Sequence, residues 1–68
     1  MELLDQIESV VTEVTYTLRD DVSTFYYKEW LNDSGHVIDS ILRDTDGNEI
    51  NDPALLEETQ NFVDGLEK

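Results

Sequence analysis

The chain has 68 residues, with 17 Asp and Glu against 4 Lys and Arg, one His and no Cys, for a formal net charge of -13. These numbers exclude a disulfide framework, a thiolate metal centre and, with a single histidine, a zinc site of ordinary composition. They also exclude electrostatic attraction to nucleic acid or to an anionic membrane.

A chain this short forms one small domain, residues 1–68, and buries only a modest share of its surface. Self-repulsion opposes its folding, so salt is expected to stabilise it. The interleaved Val, Ile, Leu and aromatic residues argue against disorder, because they can bury real area. Met1 is followed at once by Glu2 and Asp5 rather than by a basic region and a long apolar run, so no secretory leader is expected. No apolar run approaches membrane-spanning length. The expected location is cytoplasmic, the host cytoplasm if the chain is viral.

Taken in order, Glu2 to Val11 reads as a short amphipathic helix, because Leu3, Leu4, Ile7, Val10 and Val11 share the spacing of one helical face. The switch from helix to strand is expected near Val10 to Thr12, where β-branched residues become dense. Val10, Thr12, Val14, Tyr16 and Leu18 then alternate with polar neighbours as a first strand. A tight turn at Asp20-Asp21 returns the chain through a second strand, Ser23 to Asn32. That turn sets Tyr16 opposite Phe25 and Val14 opposite Tyr27.

Asn32-Asp33-Ser34-Gly35 is the next turn. A third strand follows from His36 to Asp44, with Trp30 facing Ile38 and Tyr27 facing Ile41. In this register one face carries Val14, Tyr16, Phe25, Tyr27, Leu31, Val37 and Ile41, and the other carries Tyr26, Trp30, Ile38 and Leu42. Helices on one side cannot cover both faces. Either a bulge re-sorts the side chains or the second face is a partner site.

Asp46-Gly47 marks a hairpin turn, and Asn48 to Ile50 a short returning edge. Asp52-Pro53 announces a helix, Asp as N-cap and Pro at the first position. Leu55, Leu56, Thr59, Phe62, Val63 and Leu66 form its apolar stripe, and Gly65 is its expected C-cap. The fold class is therefore α+β, a three-stranded antiparallel β-meander flanked by a short N-terminal helix and a C-terminal helix, in the order α-β-β-β-α.

No motif carries catalysis, a metal or a cofactor, and the chain reads as not an enzyme. Asp44-Thr45-Asp46-Gly47-Asn48 begins like a calcium loop, but Glu49 stands where the loop needs glycine and Leu55 where it needs a bidentate Glu. His36 reads as a strand-start residue. Glu29 and Asp39 fall opposite each other in this register, where two carboxylates sharing a proton would form an acid/base pair. So short a chain has little room for an enclosed pocket.

The binding candidates are Tyr26 and Trp30, with Lys28 between them, joined by Ile38 and Leu42 on the same face. The competing assignment places Trp30 in the core. Asp52, Glu57 and Glu58, with the turn aspartates, supply spaced carboxylates that can imitate the phosphates of a duplex. A solvated acidic surface, as in a salt-adapted source, is the plainer assignment.

In size, charge and β-meander with helices, the chain resembles the small acidic inhibitors that phages make against host nucleic-acid enzymes, including anti-restriction and anti-CRISPR proteins. The resemblance implies a basic protein partner and no direct contact with nucleic acid. The α-β-β-β-α order is also that of double-stranded RNA-binding domains, whose basic residues are absent here. The leading expectation is a non-enzymatic protein that binds a basic protein surface, as an inhibitor or nucleic-acid mimic. The alternative is a homodimeric structural or regulatory subunit that hides the Trp30, Ile38 and Leu42 face.

Overall fold

A computed structural model describes residues 1–10 and 12–66. Its order is β1 (Glu2–Val10), β2 (Glu13–Arg19), β3 (Thr24–Leu31), β4 (Val37–Asp44) and α1 (Pro53–Leu66). The strands form one antiparallel sheet in sequence order, β1-β2-β3-β4. The expected α-β-β-β-α arrangement is therefore corrected: the described residues form four strands and one C-terminal helix, with a strand in place of the N-terminal helix.

The N-terminal segment is a strand because its apolar spacing arises from two sheet faces and a bulge. Leu3 pairs with Leu18 and Asp5 with Thr17, which leaves Leu4 as an extra residue. An extra residue inside a period-2 pattern produces i, i+3 and i+4 spacings that mimic a helix. Leu3 packs against the core, whereas Leu4 and Ile7 are exposed. No single apolar stripe is buried. Val11, also assigned to that stripe, lies outside the described residues.

The β2–β3 connection spans residues 20–23 rather than two residues. Asp20 N–H donates to the Ser23 carbonyl at 3.0 Å. The Asp20 carboxylate accepts the N–H groups of Val22 and Ser23, each at 2.8 Å. Tyr16 therefore opposes Tyr27 and Leu18 opposes Phe25, two residues from the expected pairing. A slip of two keeps each side chain on its face. The Tyr16 and Tyr27 rings stack with centroids 6.0 Å apart.

Between β3 and β4 the slip is one residue, with a larger consequence. Tyr27 opposes Leu42 and Trp30 opposes Asp39. Leu42 thus enters the core, and Ile41, opposite Lys28, moves to the other face. The register breaks between Trp30 and Leu31, with Val37 opposite Leu31, so Ile38 is the bulged residue. It is 65 % exposed.

The turn at Asn32–Gly35 forms as the sequence indicates. Asn32 Oδ1 accepts the N–H groups of Ser34 and His36, and Gly35 takes a φ of 82°. The hairpin at 44–48 has Gly47 at φ 89°. Its returning arm amounts to one bridge, Arg43 to Glu49, extended by Ile50 N–H donating to the Leu42 carbonyl.

The helix begins where expected, with Asp52 Oδ1 accepting the Leu55 N–H at 3.2 Å. It lies on the face that carries Val14, Tyr16, Leu18, Phe25, Tyr27 and Leu42. Thr59 and Val63 are its buried residues, and Leu55, Leu56 and Phe62 pack around them. Gly65 lies inside the helix, without positive φ, so it is not the C-cap.

Candidate functional site

The helix covers one face of the sheet. The opposite, open face follows from the alternation of side chains along each strand and the observed register. It carries Ile7, Thr15, Thr17, Tyr26, Lys28, Trp30 and Ile41 among charged residues at its margins. None of these side chains is buried.

Towards one end of this face three residues hold one another. Trp30 Nε1 donates to Glu13 Oε1 at 2.9 Å. The Lys28 ammonium lies 3.6 Å from the same oxygen and 5.0 Å from the Trp30 ring centroid. The carboxylate neutralises the ammonium while the ammonium sits over the ring face, a cation–π arrangement. The indole is thus fixed in one orientation on a partly exposed surface, neither core nor freely mobile. Tyr26 lies four residues from Trp30 on the same strand, beyond Lys28 and opposite Thr17 and Arg43.

The remaining expected contact residues divide. Leu42 is 2 % exposed and belongs to the core. Ile38 is exposed at the bulge. Asp52 caps the helix, and Glu57 and Glu58 are exposed on its second turn. The structure sets Tyr26 and Trp30 on one face, with Lys28 between them, on the opposite side of the sheet from Asp52, Glu57 and Glu58. Glu13, the partner of the Trp30 indole, was missed because its place opposite Trp30 depends on the length of the β2–β3 turn.

The charges are also segregated. Arg19, Lys28 and Arg43, the three cationic residues among those described, all fall on the open face. Arg19 pairs with Glu2, Lys28 with Glu13, and Arg43 donates to the Gly47 carbonyl at 3.0 Å. The helix carries Glu57, Glu58 and Asp64 and, over Pro53–Leu66, no Lys or Arg, and the turns at 20–23, 32–35 and 44–48 carry Asp20, Asp21, Asp33, Asp44 and Asp46.

A polar cluster lies under the helix. Tyr27 Oη donates to Glu29 Oε2 at 2.9 Å, and Glu29 is 5 % exposed. A buried carboxylate is costly unless hydrogen-bonded, and the neutral phenol supplies one donor. Burial raises the Tyr27 pKa well above its ordinary 10.0, and the adjacent carboxylate raises it further. Gln60 Nε2 donates to Ser40 Oγ at 3.2 Å nearby. A shallow depression of about 280 Å³ opens here, lined by Tyr27, Glu29, Val37, Gln60 and Asp64.

The acid/base pair suggested by sequence does not form. Glu29 opposes Ser40 on the helix side, while Asp39 opposes Trp30 and is exposed on the open face. The calcium-like loop is a hairpin turn in which Asp44 Oδ1 accepts the N–H groups of Asp46 and Asn48. Among the described residues no cluster of His, Cys, Asp or Glu is arranged to hold a metal, and no helix is long and apolar enough to cross a membrane.

No protein-family model matches the chain, and neither the curated proteins nor the solved structures give a match.

Proposed function

We propose that the chain is a non-enzymatic acidic interaction protein that binds a basic protein surface in the cytoplasm, the host's if the chain is viral, in the manner of a nucleic-acid mimic. The observation that carries this reading is the segregation of charge. Arg19, Lys28 and Arg43 fall on one sheet face, two of them paired there with carboxylates, while the helix carries Glu57, Glu58 and Asp64 and no Lys or Arg over Pro53–Leu66. Such a surface steers toward positive charge and repels nucleic acid. Glu57 and Glu58, exposed on a helix held to the sheet by Thr59 and Val63, are the carboxylates offered to a groove that normally receives phosphates.

The test uses the immobilised chain and the basic proteins of a cell extract retained on phosphocellulose. A small set of proteins captured at low salt and displaced by duplex DNA supports the mimic reading. Replacing Glu57 and Glu58 by Gln should abolish capture, while Asp20→Asn with Asp21→Asn, the same change in charge, should leave most of it. Equal loss in both variants, or no displacement by DNA, would contradict a helix-centred mimic.

A further inference from the structure

We propose that the open sheet face is a self-association surface, which joins two copies of the chain reversibly and turns the acidic helices outward. The argument starts from repulsion. Two copies that each carry a net charge of -13 meet like charge on like charge over most of their surface. The open face is the exception. Its carboxylates are Glu2, Asp5, Glu13 and Asp39, and its cations are Arg19, Lys28 and Arg43, so it is close to neutral.

Arg19 and Lys28 are paired with Glu2 and Glu13 within the face, and Arg43 donates to the Gly47 carbonyl beside it, so a second copy need supply few counter-charges. The face offers Tyr26 and, towards one end, the fixed Trp30 indole, side chains suited to an interface core. Nucleic acid would meet the overall charge, whereas a second copy meets a face close to neutral once the net charge is screened.

The sheet edges point the same way. Unpaired edge strands invite association by strand addition. Leu42 turns its carbonyl outward to Ile50, so Ser40, two residues earlier on β4, also turns its N–H outward. The Asp39 carboxylate accepts that N–H at 2.8 Å. On the other edge strand, Asp5 accepts the Gln6 N–H at 2.9 Å. Each edge carries a carboxylate that occupies a backbone donor, so strand addition is discouraged and the face is left.

The area sets the strength. Four strands about 4.8 Å apart and eight residues long, at about 3.3 Å per residue, span roughly 500 Å². A pair would bury about 1,000 Å² in total, the lower bound for a specific interface. At this lower bound a weak, reversible dimer is expected.

Sedimentation equilibrium or light scattering across protein concentration, at 0.05 and 1 M NaCl, tests this. The monomer mass is 7.9 kDa. The mass should rise toward twice that value with concentration, and the association should tighten about tenfold or more at high salt, because screening removes the repulsion between copies. Binding to a basic partner has the opposite salt dependence, so either proposal can fail alone.

Trp30→Ala should abolish the dimer. Thr15→Glu, which adds a charge at the centre of the face without touching the core, should do the same while circular dichroism stays native. Amide shifts on dilution should map to Thr15, Thr17, Tyr26 and Trp30 and not to the helix. A monomer at 1 mM protein in 1 M NaCl overturns the proposal. So does a dimer that both substitutions leave intact.

Discussion

Replacing Tyr27 by Phe removes one oxygen from the centre of the molecule and nothing else. Tyr27 is fully buried and Glu29 nearly so, and the phenol donates to the Glu29 carboxylate at 2.9 Å. A hydrogen bond to a charged acceptor contributes about 1.5–3 kcal/mol, and loss of the donor deprives a buried carboxylate of a partner. A domain of this size has a total stability of roughly 3–10 kcal/mol. Loss of about 2 kcal/mol is therefore a substantial fraction of it.

With a urea m-value near 1 kcal/mol/M, the unfolding midpoint should fall by about 2 M, and Tm should fall by about 10 °C. Urea titrations at pH 7, followed by far-ultraviolet circular dichroism, measure the first quantity directly. Tyr26→Phe, on the partly exposed open face, should move the midpoint by less than about 0.5 M. In a double-mutant cycle with Glu29→Gln, the two buried groups should couple by about 1 kcal/mol or more. A Tyr27→Phe midpoint indistinguishable from that of Tyr26→Phe would refute the role given to the buried pair.

Three further outcomes follow from the same geometry. Tyr27 ionises in the folded state only well above its ordinary value of 10.0. Above about pH 10 the unfolded chain therefore releases a proton that the folded chain keeps. Stability should fall with rising pH there, and absorbance at 295 nm should show Tyr27 ionising together with unfolding; ionisation of all tyrosines in the folded state would contradict it. The Asp20 carboxylate is held below its ordinary 3.8 by the Ser23 and Val22 N–H groups. It contributes stability above about pH 4 that is lost as pH falls through the lower folded value. A carboxyl NMR titration should place its midpoint below 3.8, and an unshifted midpoint would count against the turn geometry. Gly47→Ala should cost about 1–2 kcal/mol in thermal unfolding through backbone strain at φ 89° alone, since an added Cβ meets open space.

Much of the fold was legible where alternation was uninterrupted. β2 and β3 alternate strictly, and the Asp52-Pro53 cap fixes the helix start to the residue. The errors trace to single inserted residues. The bulge at Leu4 gave β1 a helical spacing. The register of β4 depended on turn length and on the bulge at Ile38, neither of which hydrophobicity specifies. Because one residue of slip inverts a strand, Ile41 and Leu42 exchanged faces.

The candidate surface was legible in the same measure. Tyr26 and Trp30 lie four apart on a strand whose alternation is uninterrupted, so their shared face could be read directly. The Glu13 partner of Trp30, and the burial of Glu29 beside Tyr27, are matters of pairing across strands. Local patterning could not supply them.

The most direct measurement is the affinity of the chain for a protein captured from the phosphocellulose-retained fraction, followed from 0.05 to 1 M NaCl. If the carboxylates of helix and turns form the binding surface, the logarithm of the association constant falls steadily with the logarithm of salt concentration. Glu57→Gln with Glu58→Gln should make that slope shallower. An affinity independent of salt would contradict an acidic surface acting on a basic partner.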